Sequence, residues 1–170
     1  MNLSEVGVMG YLREPRTRME NEKVLRACAM LGYESCIDTL INEYLMRRDF
    51  SISTNNDEAL RVASARGYAF IVARLLGAGA YAGANDSEAL RLASANGHTQ
   101  IVEMILSNER ANPAARDSEA LRLASARGHT AIVRLLLQNG LVDVNARNGE
   151  ALREARLRGF REIVDMLEKL

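Results

Sequence analysis

The sequence predicts an all-α solenoid of stacked helical hairpins, and three observations predict it. First, the 170-residue chain repeats itself. The string Glu119-Ala120-Leu121-Arg122-Leu123-Ala124-Ser125-Ala126-Arg127-Gly128-His129 recurs 31 positions earlier from Glu88 to His98, 30 before that from Glu58 to Tyr68, and 31 later from Glu150 to Phe160, with a degenerate copy from Lys23 to Tyr33. Second, apolar residues keep helical spacing on both sides of a glycine in each copy, as Leu90 and Ala93, then Ile101, Val102, Ile105 and Leu106, do about Gly97. Third, Gly32, Gly67, Gly97, Gly128 and Gly159 fall where a first helix must stop and turn, a place that favours a residue for which positive φ is cheap. A period of this length reads as a quasi-linear stack in which each unit buries its apolar face against its neighbours.

Residues 1–20 fall outside the period and are expected to form an N-terminal capping segment. Within it, residues 3–13 could form a helix capped by Ser4, with Val8, Met9 and Leu12 as the apolar face and an end before Pro15. One repeat domain, 21–170, follows in units of about 21–54, 55–84, 85–115, 116–146 and 147–170. The first is the least regular: Cys36 takes the slot of Ile132, and a longer connector makes its period 35. That connector offers Arg47, Arg48 and Phe50 as a contact site, or else Phe50 and Ile52 fold back on the stack. Units two to four should bury Leu60, Ala63, Ile71 and Leu75, then Leu90, Ala93, Ile101 and Ile105, then Leu121, Ala124, Ile132 and Leu136. Their small alanines and serines allow close approach between layers. The polar groups Asn56-Asp57, Asp86-Ser87, Asp117-Ser118 and Asn148 are predicted to cap the first turn of each following helix with their side-chain oxygens. Asp165, Glu168 and Lys169 make the last helix polar, as a water-facing end layer requires.

Leu121, Ala124, Gly128, His129, Ile132, Val133, Leu136 and Leu137 carry a resemblance: the units are similar to ankyrin repeats, whose pattern runs Thr-Pro-Leu-His, x-Ala, a Gly-His turn and an Ile-Val-x-x-Leu-Leu helix. Glu-Ala replaces Thr-Pro in every complete unit, and Arg61, Arg91, Arg122 and Arg153 take the histidine position. The units are also shorter than the roughly 33 residues usual in the family, so the protruding hairpin between repeats is expected to shrink to a tight loop. The resemblance implies a protein-binding scaffold with a concave groove lined by the first helices.

Composition excludes several alternatives. Formal charge is zero and the pI about 6.8, which gives no general field for a polyanion. No apolar run approaches the roughly 20 residues that cross a bilayer, so no membrane partner is expected. Cys28 and Cys36 do not read as a disulfide framework, and a reducing cytoplasm is the default compartment. Twenty of the 22 basic residues are arginine. Base composition explains this, as would avoidance of ubiquitin-acceptor lysines in a protein delivered into a host cytosol; both readings stand. His98 and His129 fill a turn slot held elsewhere by Tyr33, Tyr68 and Phe160, which argues for packing, and two histidines so far apart lack zinc spacing. No nucleophile, general base or phosphate loop can be assembled, so no catalytic residue, metal or cofactor is expected.

The remaining feature is a ladder of arginines. Glu88, Arg91 and Ala95 share one face of a first helix, as do Glu119, Arg122 and Ala126, and Glu150, Arg153 and Leu157. Each arginine either pairs internally, with the Glu three before it or a loop acid of the next unit, or faces a partner carboxylate. The candidate partner surface is Arg61, Arg66, Asn85, Asp86, Arg91, Asn96, Arg116, Asp117, Arg122, Arg127, Arg147, Asn148, Arg153 and Arg158. The expected function is a non-catalytic, monomeric protein-protein interaction scaffold. Its alternative is an adaptor or inhibitor docking a specific enzyme, in a pathogen-effector or immunity-type role. Interleaved glutamates and few groove aromatics count against nucleic acid.

Overall fold

The chain is described by a computed structural model at Gly7, Gly10 and residues 18–47 and 57–170, and among these residues there are ten helices and no strand. Of the expected helix at 3–13 only Gly7 and Gly10 are described, both helical; its other residues, together with Arg48, Phe50, Ile52, Asn56 and the side chain of Arg47, lie outside the described residues. The chain divides into two compact units, 1–81 and 82–170.

In the first unit, α1 (Arg18–Leu31) and α2 (Glu34–Arg47) make one hairpin, and α3 (Glu58–Arg66) and α4 (Ala69–Gly77) make the next. The first helix α1 begins inside the segment expected to be a cap. First helix packs on first helix and second on second, with Leu25, Ile37, Leu40, Leu60, Ile71 and Leu75 sealed between them. Cys28 on α1 and Cys36 on α2 are joined by a disulfide, with their Cα atoms 6.2 Å apart. This corrects the expectation that the two cysteines make no disulfide framework: the turn at Gly32 lays their two slots side by side across the hairpin, so a separation of eight residues becomes a contact.

The second unit stacks three hairpins: α5 (Ala84–Asn96) with α6 (Thr99–Leu106), α7 (Ala115–Arg127) with α8 (Thr130–Asn139), and α9 (Ala146–Arg158) with α10 (Arg161–Leu167). First helices α5, α7 and α9 form one layer and α6, α8 and α10 the other. Leu90, Ala93, Ile101, Ile105, Leu121, Ala124, Ile132 and Leu136 are all buried between the layers, as their spacing requires. Each large aliphatic side chain so buried contributes about 1.5–3 kcal/mol relative to exposure. The glycine between helices answers two constraints at once. Gly128 has φ +76, and a Cβ there would sit 2.7 Å from the ring of Phe160, which the next hairpin lays across it. Gly97 holds His129 in the same way.

Candidate functional site

The site is built on a backbone feature that the repeat motif conceals. At the start of α5, Asn85, Asp86 and Ser87 take φ of 51, 58 and 54, three successive left-handed residues. Arg116, Asp117 and Ser118 repeat this before the right-handed part of α7, and Arg147, Asn148 and Gly149 before that of α9. Each run is one left-handed turn, closed by a backbone hydrogen bond from Ser87 to Gly83, Ser118 to Ala114 and Gly149 to Asn145 at 3.0–3.1 Å. Left-handed geometry costs a non-glycine residue roughly 1–2 kcal/mol, so the turn persists only where its surroundings stabilise it.

The repeated arginine supplies that stabilisation. Arg91 donates from Nε to the Asp86 carbonyl at 3.1 Å and from Nη2 to the Asn85 carbonyl at 3.3 Å, and Nη1 donates to Glu119 of the next repeat at 2.7 Å. Arg122 does the same one repeat on, to the carbonyls of Asp117 and Arg116 at 3.0 and 3.2 Å and to Glu150 at 2.8 Å. One guanidinium thus satisfies two carbonyls of its own turn and locks the following helix in register. Both arginines are 8% exposed. The expectation that Arg91 and Arg122 face a partner changes here, because their donors are spent inside the stack; nor do they pair with the glutamate three residues before.

The capping expectation is corrected too. Asp57 makes no side-chain cap bond; its Oδ1 accepts the backbone N–H of Tyr81 in the following connector at 2.9 Å. Ser87 Oγ accepts from Asn112 at 2.8 Å, and Ser118 Oγ from Asp143 at 2.7 Å. A left-handed backbone swings the side-chain oxygen away from its own helix and toward the connector of the next repeat. The sequence reading gave Glu119 and Glu150 to their own ladder face and Ser87 and Ser118 to their own helices, and missed that each reaches a neighbouring repeat; the recurrence of each pair at its own slot was the available signal.

The other candidates are spread over exposed turn tips. Arg116 pairs with Asp86 at 3.2 Å and Arg147 with Asp117 at 3.3 Å, all four exposed. Asn85 donates to Glu88. Arg127 donates to the Ala95 carbonyl at 2.6 Å and to Asn96 at 3.3 Å, and Arg158 pairs with Glu154 at 3.3 Å. Arg66 is exposed and Arg61 half-buried on α3, and Asn148 is exposed at the last turn. His129 has Nε2 3.1 Å from the Ala95 carbonyl, which makes that nitrogen the donor and the ring a packing group.

Arg153 differs from its counterparts. Its Nη1 reaches the carbonyls of Arg147 and Asn148 at 3.4 and 3.3 Å, it is exposed, and it has no carboxylate partner among the described residues. Beside it Leu157, where the three preceding repeats have alanine, is 80% exposed, and nothing lies within 4 Å of a Cβ built on Gly159. A separate groove of about 510 Å³, lined by Thr99, Glu103, Thr130, Arg134, Leu135 and Glu162, runs along the second helices. Among the described residues no group of three or more His, Cys, Asp or Glu side chains could hold a metal ion, and no helix is long and apolar enough to cross a membrane.

Comparison with known families agrees with this geometry. Residues 90–169 match the family model of ankyrin repeats, in three copies. No curated protein matches the chain. Over residues 90–169 the stacked hairpins, the glycine turns and this match are those of ankyrin repeats.

Proposed function

We propose that the chain is a non-catalytic scaffold that docks an acidic surface of a protein partner on the last hairpin of the second unit and on the adjoining turn tips. Ankyrin repeats are generally protein-protein interaction modules and typically non-catalytic. The observation that carries the finer reading is the contrast among equivalent arginines: Arg91 and Arg122 hold Glu119 and Glu150, whereas Arg153 has two long backbone contacts and an open side. A partner carboxylate placed as Glu150 is placed on Arg122 would complete the same arrangement, and Leu157 and the bare face of Gly159 offer an apolar shelf for a ring beside it. The tips carrying Asn85, Asp86, Asn96, Arg116, Asp117, Arg127, Arg147, Asn148 and Arg158 extend this surface with paired charges, which favour register and on-rate over affinity. An adaptor or enzyme-inhibitor role would use the same face.

The reading is tested by immobilising the chain and comparing the proteins retained from a cell lysate by the wild type and by Arg153→Glu. The reversal should release the specific partner at unchanged thermal unfolding. Retention of the same proteins by both would sink it. A retained species that is nucleic acid, lost steeply as salt rises, would favour the other class of ligand. We place the protein in the cytoplasm, where disulfides in most organisms are transient and redox-responsive.

A further inference from the structure

We propose that the Cys28–Cys36 bond is a reversible thiol-disulfide latch that holds the first hairpin, α1 and α2, in its folded form. Aligning the repeats shows what the pair replaces. The Cys28 slot is Ala63, Ala93, Ala124 and Ala155 in the other repeats, and the Cys36 slot is Ile71, Ile101, Ile132 and Ile163. All eight of those residues are buried, so the slots are the facing positions of the seam that closes each hairpin. Four hairpins close that seam by packing an isoleucine beside an alanine. The first closes it with a covalent bond, and both cysteines are as buried as the residues they replace.

Cutting the bond therefore leaves the first hairpin worse off than the others. Two thiols bring one heavy atom fewer to the seam than alanine and isoleucine, and their sulfur atoms move apart on reduction from bonded to van der Waals separation, so the seam must widen or leave a gap. The ion pairs that tie this hairpin to the next are also the weaker kind: the side chains of Arg26 and Glu58 are 53% and 23% exposed and those of Arg74 and Asp38 40% and 38%, against 9% and 25% for Arg91 and Glu119. Arg26 and Glu58 are 3.1 Å apart. What remains is the apolar contact of Leu25, Ala29, Ile37, Leu40 and Ile41 and the ring of Tyr68 laid across Gly32.

The chemistry is exchange with a dithiol reductant. One thiolate of the reductant attacks a sulfur of the pair, the second releases the mixed disulfide, and the reductant leaves as its own disulfide. Two electrons pass to the chain and two protons are taken up as Cys28 and Cys36 become thiols. Because both sulfurs lie inside the closed seam, attack waits for a local opening of α1 from α2, which couples the rate of reduction to the motion that reduction then amplifies. The latch belongs to residues 18–47 and does not depend on the partner surface in residues 82–170.

Amide hydrogen exchange of the full chain tests it. After equilibration with oxidised glutathione, free-thiol titration under denaturing conditions should find no thiol. Dithiothreitol should then speed exchange in α1 and α2 at least tenfold and leave α5 to α10 unchanged. The Cys28→Ala/Cys36→Ile variant, which restores the seam of the other repeats, should exchange slowly with or without reductant, and Cys28→Ser/Cys36→Ser should match the reduced wild type. Thiols that stay free after oxidation, exchange in α1 and α2 that reduction does not change, or a Ser/Ser variant as protected as the oxidised chain would each overturn the latch.

Discussion

The middle and last hairpins of the second unit carry the same Glu-Ala-Leu-Arg string, yet their arginines do different work. Arg122 is sealed at 8% exposure between the carbonyls of its own left-handed turn and Glu150 of the following repeat. Arg153 sits on the same turn geometry with no carboxylate against it among the described residues. Gly128 carries the ring of Phe160 while Gly159 carries nothing. What differs is the neighbour rather than the motif: Arg122 has a carboxylate of the following hairpin against it, and Arg153 has none among the described residues. Arg156 and Leu157 mark the change, since their slots are Ser125 and Ala126 in the covered repeat, where bulk would collide with the next layer.

Breaking the covered side should give the largest effects. Arg122→Ala strips the Arg116 and Asp117 carbonyls of their donor and leaves Glu150 partly buried without its cation, a loss of about 3 kcal/mol in urea unfolding. Gly128→Ala combines left-handed strain with a Cβ 2.7 Å from the Phe160 ring, for about 2–3 kcal/mol, whereas Gly159→Ala meets the strain alone and should cost about 1–2 kcal/mol. Adding Phe160→Ala to both glycine variants should shrink the difference between them; a difference that persists would show that the ring does not set it. Glu150→Gln keeps an acceptor for Arg122 and loses only the charge, so about 1 kcal/mol is expected, falling toward zero in a cycle with Arg122→Ala.

Much of this was legible from spacing. The period, the glycine turns and the buried leucine, alanine and isoleucine slots follow from which positions share a helix face, and burial needs little else. The left-handed turns were not legible. Asp and Ser before a helix read as an N-cap, and three left-handed residues in succession are disfavoured one by one until Arg91 or Arg122 is seen to hold their carbonyls. The replacement of histidine by arginine in that slot was the trace of it. Cys28 and Cys36 were misread because spacing along the chain was weighed instead of slot against slot; beside Ala63 and Ile71 their contact is evident. For the site, sequence found the right residue type but could not tell Arg122 from Arg153, because exposure is set by what stacks on the helix and not by the helix itself.

The smallest expected effect is the one that separates the two roles. Arg153→Ala removes two long hydrogen bonds, at 3.3 and 3.4 Å, from an exposed side chain with no ion pair. Water can replace both donors at the Arg147 and Asn148 carbonyls, so unfolding should move by no more than about 0.5 kcal/mol. The turn beneath it should also stand without the guanidinium, because Asn148 tolerates left-handed φ better than aspartate or serine and Gly149 adopts it freely, where the middle hairpin places Asp117 and Ser118. A loss near that of Arg122→Ala would mean that Arg153 is framework after all, and that the left-handed turn needs its arginine whether or not a carboxylate lies beyond it.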